Sequence, residues 1–141
     1  MTGPSPQTHH VGITVSDLES TLSFYRDVLG FDVVDRFSVA GKALSEGIGV
    51  ENASGTFVHL ESGGVRLELV RFEPEANESR ESALNRPGTT HVALAVDDLE
   101  SFYATLPDDV ETISEPRTTE SGTTILFVRD PEDNLVELLE S

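Results

Sequence analysis

Four side chains at repeated positions carry the clearest chemistry in this 141-residue chain: His10, Glu68, His91 and Glu137. Each glutamate stands in an apolar run, Val65-Arg-Leu-Glu-Leu-Val70 and Leu135-Val-Glu-Leu-Leu139, whose neighbouring aliphatics an extended chain points the other way. A carboxylate alone on the inward face of a strand costs several kcal/mol unless it is paired, hydrogen-bonded or metal-bound. The chain has no cysteine, so disulfides, thiolate metal sites and a cysteine nucleophile are excluded. Two neutral imidazoles and two carboxylates form a mixed nitrogen and oxygen set suited to one Mn, Fe, Co, Ni or Zn ion, with positions left open for water or substrate. Taken singly, each histidine reads as an edge residue and each glutamate as an exposed carboxylate. Four at equivalent positions of a repeat favour a shared metal.

The repeat is explicit. His10-Val-Gly-Ile-Thr-Val-Ser-Asp-Leu-Glu-Ser returns as His91-Val-Ala-Leu-Ala-Val-Asp-Asp-Leu-Glu-Ser, offset by 81 residues, whereas the two glutamates are offset by 69. The first copy is therefore longer, and its extra length falls within Val39 to Ser54. Each copy opens with alternation: Val11, Ile13 and Val15 against His10, Gly12 and Thr14, matched by Val92, Leu94 and Val96 against His91, Ala93 and Ala95. Both openings predict half-buried strands. Each runs into a helix start, Ser16-Asp-Leu-Glu19 and Asp97-Asp-Leu-Glu100, with a cap residue and a glutamate three positions on. Leu18, Leu22, Tyr25 and Leu29 form the apolar stripe of the first helix, which stops at Gly30; the second stops at Pro107.

Three strand-like runs follow each helix: Phe31 to Phe37, Gly55 to Glu61 and Val65 to Phe72, then Val110 to Arg117, Thr123 to Val128 and Leu135 to Leu139. The unit is βαβββ, twice, an α+β fold in a single domain spanning 1–141, with modules at 9–72 and 89–141 and a polar linker at 73–88 that ends in Pro87-Gly88. Ser62-Gly63-Gly64 and Asp130-Pro-Glu-Asp-Asn134 read as hairpin turns. The irregular piece, Val39 to Ser54, reads as an excursion with a short helical turn that helps shape a substrate pocket. Strand alternation sends His9 to the face opposite His10, as a surface residue. His59 has no counterpart in the second half and reads as a strand or pocket residue rather than a ligand.

The net charge of -17 arises from 26 acidic residues against nine basic ones, of which only Lys42 is a lysine. That surface repels nucleic acid and anionic membranes, so neither is an expected partner. The carboxylates are spread along a chain that keeps its apolar pattern, which points to a charged folded surface rather than a disordered acidic tail. A cytoplasm rich in salt, which screens charge within about 3 Å at 1 M, suits such a halophilic surface. No apolar run reaches the roughly 18 residues of a membrane span, and Met1 to Thr8 is unlike a signal peptide; a cytoplasmic protein is the reading that follows.

The segments His10-Val-Gly-Ile-Thr-Val-Ser-Asp-Leu, Phe24-Tyr-Arg-Asp-Val-Leu-Gly-Phe31, Leu67-Glu-Leu, His91-Val-Ala-Leu-Ala-Val-Asp-Asp-Leu and Asp130-Pro-Glu-Asp-Asn-Leu-Val-Glu137 together resemble the vicinal oxygen chelate superfamily. It includes glyoxalase I, methylmalonyl-CoA epimerase, extradiol dioxygenases and the fosfomycin- and bleomycin-resistance proteins. The resemblance implies that the modules form a curved, partly open mixed β-barrel with flanking helices, and that the protein is a homodimer binding a small-molecule substrate. The His, Glu, His, Glu set is similar to that of bacterial glyoxalase I, as is Gly122-Thr-Thr-Ile-Leu-Phe-Val-Arg-Asp-Pro131. It implies a metal-dependent lyase or isomerase working through an enediolate, with Glu137 as the general base and Glu68 its pseudo-symmetric partner. Where that group holds glutathione with an arginine and an asparagine, this chain has Thr14 and Phe72, which argues for another thiol adduct or a related α-oxo substrate. Epimerase and dioxygenase chemistries, and a binder of small molecules, are the alternatives; retention of all four donors favours an enzyme.

Overall fold

Alternating side chains and a pair of short hairpin turns leave each half of the chain one good way to bury its aliphatics. In the computed structural model, which describes residues 5–76 and 83–141, the first half runs β1 (Val11–Thr14), α1 (Leu18–Ser23), β2 (Asp32–Ala40), α2 (Lys42–Ile48), β3 (Ser54–Ser62) and β4 (Val65–Glu73). The second half runs β5 (His91–Ala95), α3 (Leu99–Thr105), β6 (Arg117–Thr118), β7 (Thr124–Arg129) and β8 (Leu135–Glu140). The chain divides into two compact units, Met1–Ala76 and Asn77–Ser141. Each holds one four-stranded mixed sheet, ordered β1-β4-β3-β2 in the first and β5-β8-β7-β6 in the second. In both, the opening strand lies parallel to the closing one, and the remaining pairs are antiparallel. This is the expected α+β pair of βαβββ units. Residues 77–82, inside the anticipated linker, lie outside the described part; Ala83 to Thr89 that follow are turns, with Arg86 N–H bonded to the Ala83 carbonyl at 3.1 Å.

The cores follow the sequence pattern. Leu18, Leu22 and Tyr25 are buried with Leu60, Leu67 and Leu69 in the first unit, and α1 packs on β4. In the second, α3 packs on β7 and β8, where Leu99, Leu126, Val128, Val136 and Leu138 are buried. Full burial of a leucine-sized side chain contributes about 1.5–3 kcal/mol, so these clusters dominate each unit's stability. The chain past α1 widens into a π-helical stretch, Phe24–Val28, before Gly30 turns it at φ 79°.

The helix caps lie one residue later than expected. Asp17 and Asp98, not Ser16 and Asp97, cap α1 and α3, each accepting from the backbone N–H three residues on, Ser20 at 3.0 Å and Ser101 at 3.1 Å. Glu19, cast as the reciprocal capping partner, instead pairs with Arg36 on β2. A continuous strand over Val110 to Arg117 does not form. Thr112 bridges Val128 and Ile113 N–H bonds the Phe127 carbonyl at 2.9 Å, then pairing lapses until Arg117, because Pro116 has no N–H to donate. The Val39 to Ser54 excursion contains α2, closed by Gly49 at φ 73° and by Ser45 Oγ, which accepts from Ala53 N–H at 2.9 Å.

Candidate metal centre

Two glycines place the first carboxylate. Gly63 and Gly64, at φ 57° and 81°, make a two-residue turn of the kind that demands positive φ at both positions, and Ser62 therefore faces Val65. Counting back, His59 of β3 faces Glu68 of β4. On the other side of β4, Gly12 of β1 is the partner of Glu68 in the parallel ladder. An alanine-like Cβ at Gly12 would lie 3.7 Å from Glu68 Oε1 and 3.9 Å from the His10 ring, so β1 runs directly under the pair.

The side chains converge. His59 Nε2 lies 2.7 Å and His10 Nε2 3.4 Å from the same oxygen, Glu68 Oε2. His10, His59 and Glu68 each offer one ligand atom, all within 4.8 Å of one another. Side-chain exposure grades from 8% at His59 through 13% at Glu68 to 34% at His10, so the donors line a path from core to surface. Phe37 meets the His59 ring edge-on, with centroids 5.1 Å apart, and itself stacks on Phe57. This apolar wall lowers the local dielectric and raises the cost of leaving Glu68 without a partner.

The second unit repeats the arrangement with one change. Ala93 of β5 and Phe127 of β7 flank Glu137 of β8, as Gly12 and His59 flank Glu68. His91 Nε2 lies 3.3 Å from Glu137 Oε1, and the His91 and Phe127 rings meet with centroids 5.3 Å apart. Each unit thus brings its own histidine and glutamate together: His10 with Glu68, His91 with Glu137.

Histidines 9 and 59 were not among the four. His9 does not turn to the opposite face, because β1 begins only at Val11 and residues 9 and 10 precede its ladder. Its Nδ1 lies 2.8 Å from His10 Nδ1, while its ring remains exposed. The signal for His59 was present in the two-glycine turn, whose register pairs it with Glu68. Arg66 and Arg71 are held by Glu61 at 2.9 Å and Glu73 at 3.0 Å, as surface ion pairs. Phe72 packs edge-on against Phe57, with centroids 5.8 Å apart.

Nitrogen and carboxylate donors this close, with no sulfur among them, fit a divalent transition metal. Residues 7–138 match the family model of the Glyoxalase/Bleomycin resistance protein/Dioxygenase superfamily, and the chain belongs to that superfamily. A probable lactoylglutathione lyase of Synechocystis sp. is 28% identical over 94% of this chain and 93% of its own length. Among solved structures, a glyoxalase family protein from Bacillus cereus superposes with a TM-score of 0.85 at 23% identity, covering 98% of this chain and 95% of that one. The trypanothione-dependent glyoxalase I of Leishmania major gives a TM-score of 0.64 at 27% identity over 96% of this chain and 87% of its own. No helix among the described residues is long and apolar enough to cross a membrane.

Proposed function

We propose that this protein is a metal-dependent lyase or isomerase of the glyoxalase I type, with His10, Glu68, His91 and Glu137 as ligands of one divalent transition metal. The observation that carries the reading is the recurrence of one nitrogen–oxygen pair, at 3.4 Å and 3.3 Å, at equivalent positions of the two units. When bound, the metal supplies a Lewis acid that stabilises negative charge developing on a substrate oxygen. Glu137 takes the proton from a hydroxyl-bearing carbon and returns it to the adjacent carbonyl carbon, while the hydroxyl proton passes to the former carbonyl oxygen, so that the two carbons exchange oxidation levels without an oxidant. Its side chain is 16% exposed and is paired across the ladder with Phe127, so one side of the carboxylate is screened by an apolar ring. Glu68 is held between two histidines and orients rather than shuttles.

The substrate class is a small α-oxo thiol adduct or a related α-hydroxy carbonyl compound. Thr14 and Phe72 provide neither charge nor amide for glutathione, and Phe72 is engaged with Phe57, so glutathione itself is disfavoured. A single-domain protein acting as a homodimer in a salt-rich cytoplasm completes the reading.

The test is elemental analysis of protein purified in high salt without chelator. About one equivalent of transition metal per chain, lost in His10→Ala, supports the site. Glu137→Gln is expected to lower turnover of hemithioacetal substrates by roughly 10²–10⁴-fold while the fold is kept. A chain that takes up no metal from Mn, Co, Ni or Zn, or a Glu137→Gln variant with full turnover, overturns the assignment.

A further inference from the structure

The two units differ at one position that matters chemically: where Phe127 faces Glu137, His59 faces Glu68. The fold itself does not call for a histidine there, since the second unit closes the same ladder around a phenyl ring. Yet His59 is 6% exposed, and its Nε2 lies 2.7 Å from the carboxylate oxygen that His10 Nε2 approaches to 3.4 Å. Donors about 2.1 Å from a common ion, at angles of about 80–110°, stand about 2.7–3.4 Å apart, which is the spread seen around Glu68 Oε2. His10 shows the second mark of a ligand: with Nε2 turned to the carboxylate, its other ring nitrogen, Nδ1, has a polar partner in His9 Nδ1 at 2.8 Å.

We propose that His59 coordinates the metal through Nε2, so that the first unit supplies three donors, His10, His59 and Glu68, and is the half that holds the ion. This rests on the metal-dependent reading above and deepens it. With a third donor from the first unit, Glu137 is the carboxylate that can be spared for proton transfer, since Phe127 beside it leaves it one imidazole, His91, where Glu68 has two. Two imidazoles and one carboxylate from the first unit form a nitrogen and oxygen donor set that would suit a divalent ion such as Fe, Co, Ni or Zn.

The experiment is titration of the full chain with Co²⁺ in high salt, read by visible d–d absorption and by calorimetry, for the wild type, His59→Phe and His59→Gln. His59→Phe copies the second unit and should pack; His59→Gln keeps a hydrogen-bond donor for Glu68 but removes the imidazole. Loss of an outer-shell partner typically costs 10–100-fold in metal affinity, so a ligand's loss should exceed about 100-fold in both variants and change the band shape. Wild-type affinity and spectrum in His59→Phe would overturn the inference and leave the metal-dependent reading standing. The same result in His59→Gln alone would reduce His59 to a hydrogen-bond partner of Glu68, which also overturns it. A wild-type chain that takes up no cobalt overturns the metal-dependent reading itself. Far-ultraviolet circular dichroism of each variant separates loss of metal from loss of fold.

Discussion

At the scale of single residues, the cluster around Glu68 depends on neighbours that the chemistry never touches. Gly55 on β3 is one: a Cβ there would lie 2.8 Å and 2.9 Å from ring atoms of Phe57 and 3.2 Å from Phe72. Those rings are tied to Phe37, which walls His59, so the aromatic stack has little freedom to yield. Gly55→Ala is expected to destabilise the protein by about 1–3 kcal/mol through overpacking, measured by urea unfolding, with a larger loss of metal affinity than its distance from Glu68 suggests. An unchanged midpoint would show that the stack relaxes freely. Gly12 gives the contrast, because its missing Cβ faces ordinary contact distances and the second unit already has Ala93 at that place. The pairing of His10 with Glu68 and of His91 with Glu137 was legible because repetition singles out polar residues in apolar runs. His59 was not, because repetition is blind to what only one copy carries.

Elements decide the register on which those side chains depend, and two turns do most of it. Gly63-Gly64 sets β3 against β4; the longer loop at 130–134 sets β7 against β8 through Asp130. Buried to 4% exposure, Asp130 accepts through Oδ1 from the N–H groups of Glu132 at 2.8 Å and Asn134 at 2.9 Å, and through Oδ2 from Asn134 Nδ2 at 2.9 Å. Asp133 adopts φ 65° within the same loop. Asp130→Ala removes all of these at once and is expected to cost roughly 2–3 kcal/mol, with hydrogen exchange accelerating first along β7 and β8. Exchange that accelerates uniformly over the chain would show that the loop does not hold the hairpin. Strand and helix order was readable from alternation and caps, with β3, β4, β7 and β8 within a residue at each end and β2 running three residues past Phe37 to Ala40. The failed strand after α3 was not, since Val110 to Ile113 alternates well and only Pro116 betrays the break. The helical turn α2 was anticipated only in outline: Gly47 and Gly49 obscure its pattern, and the side chain of Ser45 within it ties down the chain eight residues on, at Ala53.

At the scale of the whole molecule, charge dominates. The ion pairs of Arg26, Arg36, Lys42, Arg66, Arg71 and Arg117 join near neighbours on the surface, where each pair contributes little. Even complete pairing of every basic residue would leave the net -17 unneutralised. Screening shortens from about 10 Å at 0.1 M salt to about 3 Å at 1 M, so repulsion among these carboxylates is mostly removed in concentrated salt. Tm is therefore expected to rise by on the order of 10 °C between 0.1 M and 2 M KCl, against about 2–8 °C per kcal/mol for chains near this size. A flat dependence, followed by differential scanning calorimetry, would end the halophilic reading.

The extra length of the first unit is confined to the segment around α2, between β2 and β3, while the second unit crosses the equivalent gap with a tight turn in which Thr119 N–H meets the Thr123 carbonyl at 2.9 Å. None of the clustered histidines and glutamates lies in that gap: His10 immediately precedes β1, and the others stand on β3, β4, β5 and β8. The chain therefore contains its own demonstration of where it tolerates insertion: one copy has accepted a helix there and the other has not, and both keep a histidine on a glutamate. For anyone grafting a recognition loop, a fluorophore or a purification handle onto this scaffold, the α2 segment is the permissive site and the hairpin turn the restrictive one: between the two units it differs by a single residue, Glu61 to Arg66 against Arg129 to Leu135, and each form keeps the glutamate opposite its partner.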